Sequence, residues 1–139
     1  RHDVILVEGA GGVHVPLTKS ADVLALIQRM KLPVIVVGRV GLGGVNHARL
    51  TVESLRRQKI PVLALVLNQT VRAQGARATQ QARSTTALLQ EFVEVPVIGP
   101  LPYAGTRGGG WNRGVEKMAK TAAIKQLAQL IDSAVRESL

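Results

Sequence analysis

Asp3-Val4-Ile5-Leu6-Val7-Glu8-Gly9-Ala10-Gly11-Gly12 is the stretch whose reading decides the fold. Four apolar residues run into one carboxylate and then into four small residues. The run predicts a buried strand over Val4–Val7, with Glu8 at its tip and a tight turn behind it. In α/β proteins such a tip offers a carboxylate to a metal ion, and the glycine amides let a phosphate or carboxylate come close. No G-x-x-x-x-G-K-[ST] phosphate loop occurs in the sequence. The stretch therefore looks like the second half of a nucleotide site.

Working outward, Val34–Val37, Val62–Leu67 and, more weakly, Val95–Ile98 are short runs dominated by Val, Ile and Leu. Runs that do not alternate with polar residues belong to strands covered on both faces, and so to parallel sheets under helices. Helical patterns fill the gaps. Ala21–Met30 carries Val23, Leu24, Ile27 and Met30 at helical spacing, with Ser20 as its expected N-cap. His47–Arg57 is expected to turn Leu50, Val52 and Leu55 to a core, and Arg77–Phe92 ends in Leu88, Leu89 and Phe92. Lys31-Leu32-Pro33 and Lys59-Ile60-Pro61 each stop a helix before a strand. Val115–Val135 is expected to be the longest helix, its apolar residues on one stripe. The expected fold is an α/β three-layer sandwich with a mostly parallel sheet. Its parts are a core over 1–104, a glycine-rich loop over 105–114 that includes Trp111, and a C-terminal amphipathic helix over 115–139 packing on that core.

Composition narrows the function. The 139 residues are 46% hydrophobic, enough for a core. Cysteine is absent, which excludes disulfides and thiolate metal sites. No apolar run reaches membrane-spanning length, and Arg1-His2-Asp3 has no signal-peptide layout, so a cytoplasmic protein is expected. One Phe, one Trp and one Tyr exclude a base-stacking platform as the main surface. The net charge is +9, and no acidic residue falls between Ser54 and Gln90, where Arg56, Arg57, Lys59, Arg72, Arg77 and Arg83 lie. A polyanionic partner or a solvated basic surface both fit; the scatter of the arginines favours the surface.

Four unusual segments each follow an expected strand: Glu8–Gly12, Gly38–Asn46, Asn68–Arg72 and Gly99–Tyr103. Carboxyl ends of parallel strands share one edge of a sheet, where ligands of open α/β sheets bind. Glu8 reads as a Mg²⁺ ligand or as a capping carboxylate. Gly9, Gly11 and Gly12 permit close backbone approach or simply turn the chain, and Pro16 and Thr18 shape the exit. Gly43, Gly44, Val45 and Asn46 precede an expected helix whose free amides favour an anion. Asn46 caps that helix or touches a ligand, and His47 reads as a partly buried structural residue before an acid–base group. Asn68 suits a purine edge or a turn, and Gly99-Pro100-Leu101-Pro102-Tyr103 is a rigid turn that can wall a base pocket.

From residue 3 to 103 the chain resembles the C-terminal part of dethiobiotin synthetase, within the P-loop NTPase superfamily that includes the MinD and ParA proteins. The likeness rests on Val4–Gly12 with Pro16-Leu17, on Leu32–Gly38, on Gly41–Thr51, on Val66-Leu67-Asn68 and on Pro96–Pro102. The resemblance implies ATP- and Mg²⁺-dependent joining of CO₂ to 7,8-diaminononanoate, through a carbamate that is phosphorylated and closed to a cyclic urea. It implies Glu8 at the Mg²⁺, and Gly11 and Gly12 as catalytic residues beside the diamine and carbamate. It implies Gly43, Gly44, Val45 and Asn46 on the substrate's distal carboxylate across a homodimer interface, and Asn68, Pro102 and Tyr103 around adenine. The family's phosphate loop precedes the matched region, so a separate chain carrying it is one expected partner. Two rivals stand beside this reading: a noncatalytic dimerising or regulatory α/β module, and a ParA-like DNA-associated protein. Nucleic acid ranks last among the partners, and no membrane is expected.

Overall fold

The computed structural model describes residues 4–72, 75–104 and 111–137. Its elements are α1 (Val23–Met30), β1 (Val34–Arg39), α2 (Gly44–Arg57), β2 (Val62–Asn68), α3 (Gly75–Phe92), β3 (Val97–Leu101), α4 (Trp111–Ala119) and α5 (Ala122–Glu137). The strands form one parallel sheet in the order β1-β2-β3. The α/β alternation read from the sequence is thus present, as the P-loop NTPase-like resemblance implied.

Pleating of β2 divides the core into two. Successive side chains of a strand point to opposite faces. Leu65 and Leu67 join Leu24 of α1, Val52 and Leu55 of α2 and Leu89 of α3 on one face. Ala64 and Val66 join Ile98 and Leu101 on the other, against Met118, Ile124, Leu127 and Leu130. The sheet is therefore the middle layer of three. Leu55, Leu65, Leu67 and Leu89 are fully buried, and each buried side chain of this size contributes about 1.5–3 kcal/mol.

Several expectations need correction. Val4–Val7 forms no strand: these residues pair with none of the three strands, and Ile5 and Leu6 are each 73% exposed. Apolar β-formers make a strand only when a neighbour completes the ladder, and among the described residues none does. The N-cap of α1 is Asp22, not Ser20; its carboxylate accepts from the Ala25 amide at 2.8 Å. α2 begins at Gly44, ahead of His47. Leu50 and Phe92 face solvent, and the Arg49 guanidinium lies over the Phe92 ring at 5.3 Å. Gly99-Pro100-Leu101 lies within β3 and is not a turn.

The expected helix over Val115–Val135 is two helices. Thr121 breaks it: its hydroxyl donates to the Met118 carbonyl at 2.7 Å and accepts from the Ile124 amide at 3.4 Å, ending α4 and capping α5. The helical pattern also starts earlier, so 111–114 belong to α4 and not to a loop. Gly114 is pressed against Ala104, whose carbonyl oxygen would lie 2.1 Å from a Cβ there. Residues 105–110 of the expected glycine-rich loop lie outside the described residues, as does the Trp111 side chain.

Candidate functional site at the strand ends

The carboxyl ends of the three strands lie in register. Arg39 of β1 pairs with Asn68 of β2, and Asn68 pairs with Leu101 of β3. The chain leaves this edge held together: the Val40 amide donates to the Asn68 carbonyl at 3.2 Å, and the Gln69 amide to the Leu101 carbonyl at 3.0 Å. Gly38–Asn46, Asn68–Arg72 and Pro102-Tyr103 therefore meet on one edge, although they are scattered along the sequence. Asn68 and Tyr103 are half-buried there, and Pro102 is exposed.

The turn from β1 into α2 is shaped by two glycines. Gly43 is the N-cap, with φ +79°, a left-handed conformation that L side chains seldom adopt. Gly44 has no room for a side chain, since a Cβ would lie 2.2 Å from the Arg39 carbonyl oxygen. No side chain caps α2, so the capping role considered for Asn46 is not realised. Of the first helical amides, Gly44 donates to Gly41 and His47 to Gly43, each at 3.0 Å. The Val45 and Asn46 amides find no intramolecular partner among the described residues. They point from the positive end of the helix dipole, an arrangement that attracts an anion.

An open groove of about 600 Å³ lies against this helix start, lined by Gly43, Val45, Asn46, Arg49, Leu50 and Glu53, with Gln81 of α3 opposite. Sequence reasoning reached Gly43, Val45 and Asn46 but passed over Arg49 and Gln81. Once α2 is seen to begin at Gly44, helical spacing explains Arg49: residues three, four and seven beyond Asn46 share its face, which selects Arg49, Leu50 and Glu53. Arg49 adds a fixed positive charge, and Glu53 is engaged by Arg57 at 2.6 Å. Beside the turn, Arg39 donates to the Leu42 carbonyl at 3.5 Å. His47 is exposed, contrary to the expected buried role.

A second hollow, about 320 Å³, lies where β2 begins and is lined by Arg56, Lys59 and Pro61 among others. It is at the amino ends of the strands, the wrong edge for a ligand of such a sheet. Arg56 is paired with Glu94 and Arg57 with Glu53, so two of the basic residues read as a surface for polyanions already have acidic partners.

The glycine turn is placed differently from the other three segments. Glu8 to Gly12 are exposed, and no hydrogen bond or ion pair among the described residues joins Glu8 to the strand edge. Behind the turn the chain is anchored at the start of α1. The Val23 amide donates to the Val15 carbonyl at 3.1 Å and the Leu24 amide to the Val13 carbonyl at 2.8 Å. With Asp22 serving the Ala25 and Leu26 amides, the opening turn of α1 is satisfied and offers nothing to an anion. The Ala25 amide, and after it the His14 ring, hold the Asp22 carboxyl below the usual carboxylate range. Among the described residues no group of three His, Asp or Glu side chains could hold a metal. A single carboxylate still suits Mg²⁺, which keeps water and phosphate oxygens in most of its shell. No described helix is long and apolar enough to cross a membrane.

A family model described as an AAA domain matches residues 1–107. The chain is 36% identical over 101 residues to the ATP-dependent dethiobiotin synthetase BioD of Paramagnetospirillum magneticum, covering 73% of this chain and 49% of that protein. It is 40% identical over 110 residues to the BioD of Thermodesulfovibrio yellowstonii, covering 74% of this chain and 45% of that protein. A shorter stretch of 70 residues is 51% identical to the BioD of Anaeromyxobacter dehalogenans, covering 50% of this chain and 31% of that protein. The chain spans about half the length, or less, of these curated relatives. With the parallel α/β sheet and the matched span in agreement, the chain belongs to this AAA domain family, and its curated relatives are dethiobiotin synthetases.

Proposed function

We propose that this chain supplies the substrate-carboxylate and adenine parts of a dethiobiotin synthetase site, acting in ATP-dependent ring closure of 7,8-diaminononanoate. The observation that carries the reading is the pair of open amides at Val45 and Asn46, facing a groove that also holds Arg49. A long diamino acid has a carboxylate at one end and two amines at the other. Oriented amides and a fixed guanidinium hold the carboxylate without spending catalytic groups on it, and so set where the amines lie.

The chemistry is carbamate formation by one amine with CO₂, transfer of the γ-phosphoryl group to the carbamate oxygen, and attack of the second amine with loss of phosphate. A bound Mg²⁺ would neutralise phosphate charge, and Glu8 is the residue that would hold it. Gly11 and Gly12 let the backbone approach the carbamate end. Asn68 offers an amide side chain to the adenine edge, and Pro102 and Tyr103 wall that side. Exposed Leu42 and Leu50 beside the groove support closure of the site by a second copy of the chain. The triphosphate cradle must come from a phosphate loop that this sequence lacks, in a separate chain or segment. The family likeness disfavours the regulatory-module and DNA-associated readings.

Calorimetry tests the proposal on the chain as it stands. The diamino acid binds the wild type, and Asn46→Ala, which removes the side-chain amide that lines the groove beside the two backbone amides, weakens binding about tenfold while leaving the oligomeric state unchanged. Mg-ATP binds poorly, because nothing in this sequence cradles the phosphates; micromolar affinity for Mg-ATP would contradict that division of labour. Loss of a dimer in Asn46→Ala, with no ligand effect in either protein, would favour the noncatalytic module.

A further inference from the structure

The segment behind the glycine turn has few holds on the body. From residue 4 to residue 20 only Val13 is even half-buried, and it packs against the core on the α2 side of the sheet. The next residue, His14, bridges two elements. Its Nδ1 lies 3.1 Å from Asp22 Oδ2, at the cap of α1, and its Nε2 lies 3.3 Å from Ser54 Oγ, on α2. A carboxylate can only accept, so Nδ1–H donates to Asp22, and Nε2 shares the second hydrogen bond with the Ser54 hydroxyl, which can serve as donor or acceptor. Ser54 is ten residues, about 15 Å, along α2 from Gly44.

We propose that His14 is a positioning residue, clamping the chain behind the glycine turn between the cap of α1 and the body of α2. This rests on the site reading above, in which Gly11 and Gly12 lie beside the substrate and α2 holds its carboxylate. Backbone bonds from Val13 and Val15 tie the turn to α1 alone. Ser54 ties it to the helix whose first turn lines the groove. His14 thus sets the distance between the two ends of the substrate site through α2, whose first turn lines the groove.

Serine, imidazole and carboxylate in this order also suggest a nucleophile with its base. Ser54 lies inside α2, where the neighbouring backbone amides are committed to the helix and are not free to stabilise an oxyanion. The arrangement positions and does not attack.

Amide exchange on the full chain tests the clamp. The reporters are Val15, Val23 and Leu24, whose amides are bonded across the anchored segment. Ser54→Ala cuts only the α2 arm, and alanine suits a helix. Exchange at the reporters should rise about three- to tenfold, as expected for one lost hydrogen bond. It should rise no further in His14→Leu combined with Ser54→Ala than in His14→Leu alone, and Ser54→Thr should restore it. Val52 and Leu55 amides should not change, which separates a local release from general loosening. Unchanged reporters in both single variants, or additive effects in the double variant, would overturn the clamp. Titration with 7,8-diaminononanoate then reads the functional arm: the wild type binds it, and both single variants lose the same several-fold affinity. If the wild type binds none of it, the site reading fails while the exchange result still decides the clamp; binding equal in all three limits His14 to holding the fold and overturns its positioning role.

Discussion

Gly44 shows how a single absent side chain fixes the groove. Its amide is used by Gly41 and its Cα faces the Arg39 carbonyl, so α2 can begin only where the chain has just left β1. Gly44→Ala places a methyl 2.2 Å from that oxygen, and the strand end or the helix start must move. Chemical denaturation should show a loss of about 1–3 kcal/mol, the usual cost of overpacking. A neutral effect would mean that the turn is looser than described. Glycines were visible in the sequence as a cluster, but the cluster did not say which one the fold requires. Gly43 and Gly44 earn distinct roles only once the φ angle and the neighbouring carbonyl are known. Arg49 was missed for a related reason: its value comes from sharing a helix face with Asn46, which needs the helix to start earlier than its apolar pattern indicated.

At the scale of elements, α1 depends on a cap that titrates. The Asp22 carboxyl is held below the usual range, chiefly by the Ala25 amide and then by His14. A depressed folded-state value means that the stabilisation is complete above the ordinary carboxylate range and is lost as pH falls through the folded value. Protection of the Ala25 amide, taken relative to its intrinsic exchange rate at each pH, should therefore fall in acid before that of the core amides of β2. Asp22→Asn keeps a good cap but carries no charge, so it should flatten this acid dependence with little loss of structure at neutral pH. An equal acid response in the variant would contradict the assignment. The helices and three of the four strands were legible from apolar runs and proline stops, because those signals are local. The strand over Val4–Val7 was not, because a strand needs a partner, and the sequence of one segment does not say whether its neighbour is present. The break at Thr121 was hidden too: a continuous apolar stripe overrode a hydroxyl that caps a new helix.

For the whole molecule, one sheet separates two cores, and β2 contributes to both. Leu65→Ala removes a fully buried side chain from the α1–α2–α3 side and should cost about 2–5 kcal/mol in equilibrium denaturation. A cost under 1 kcal/mol would mean that the layer collapses around the gap. The shared strand-end edge was legible at this scale in outline. Parallel strands predict that their carboxyl ends share an edge, and Arg39, Asn68 and Leu101 lie in register there. What the sequence could not supply is the fourth contributor: Glu8 and the glycine turn are exposed, with His14 and Val13 as the anchors behind them. The most direct measurement is an NMR titration that follows the Val45 and Asn46 amides as 7,8-diaminononanoate is added, beside the same titration with its methyl ester. Both resonances should shift and saturate with the acid and stay nearly unmoved with the ester. Equal shifts with both, or none at Val45 and Asn46 while other residues respond, would contradict a carboxylate held at the start of α2.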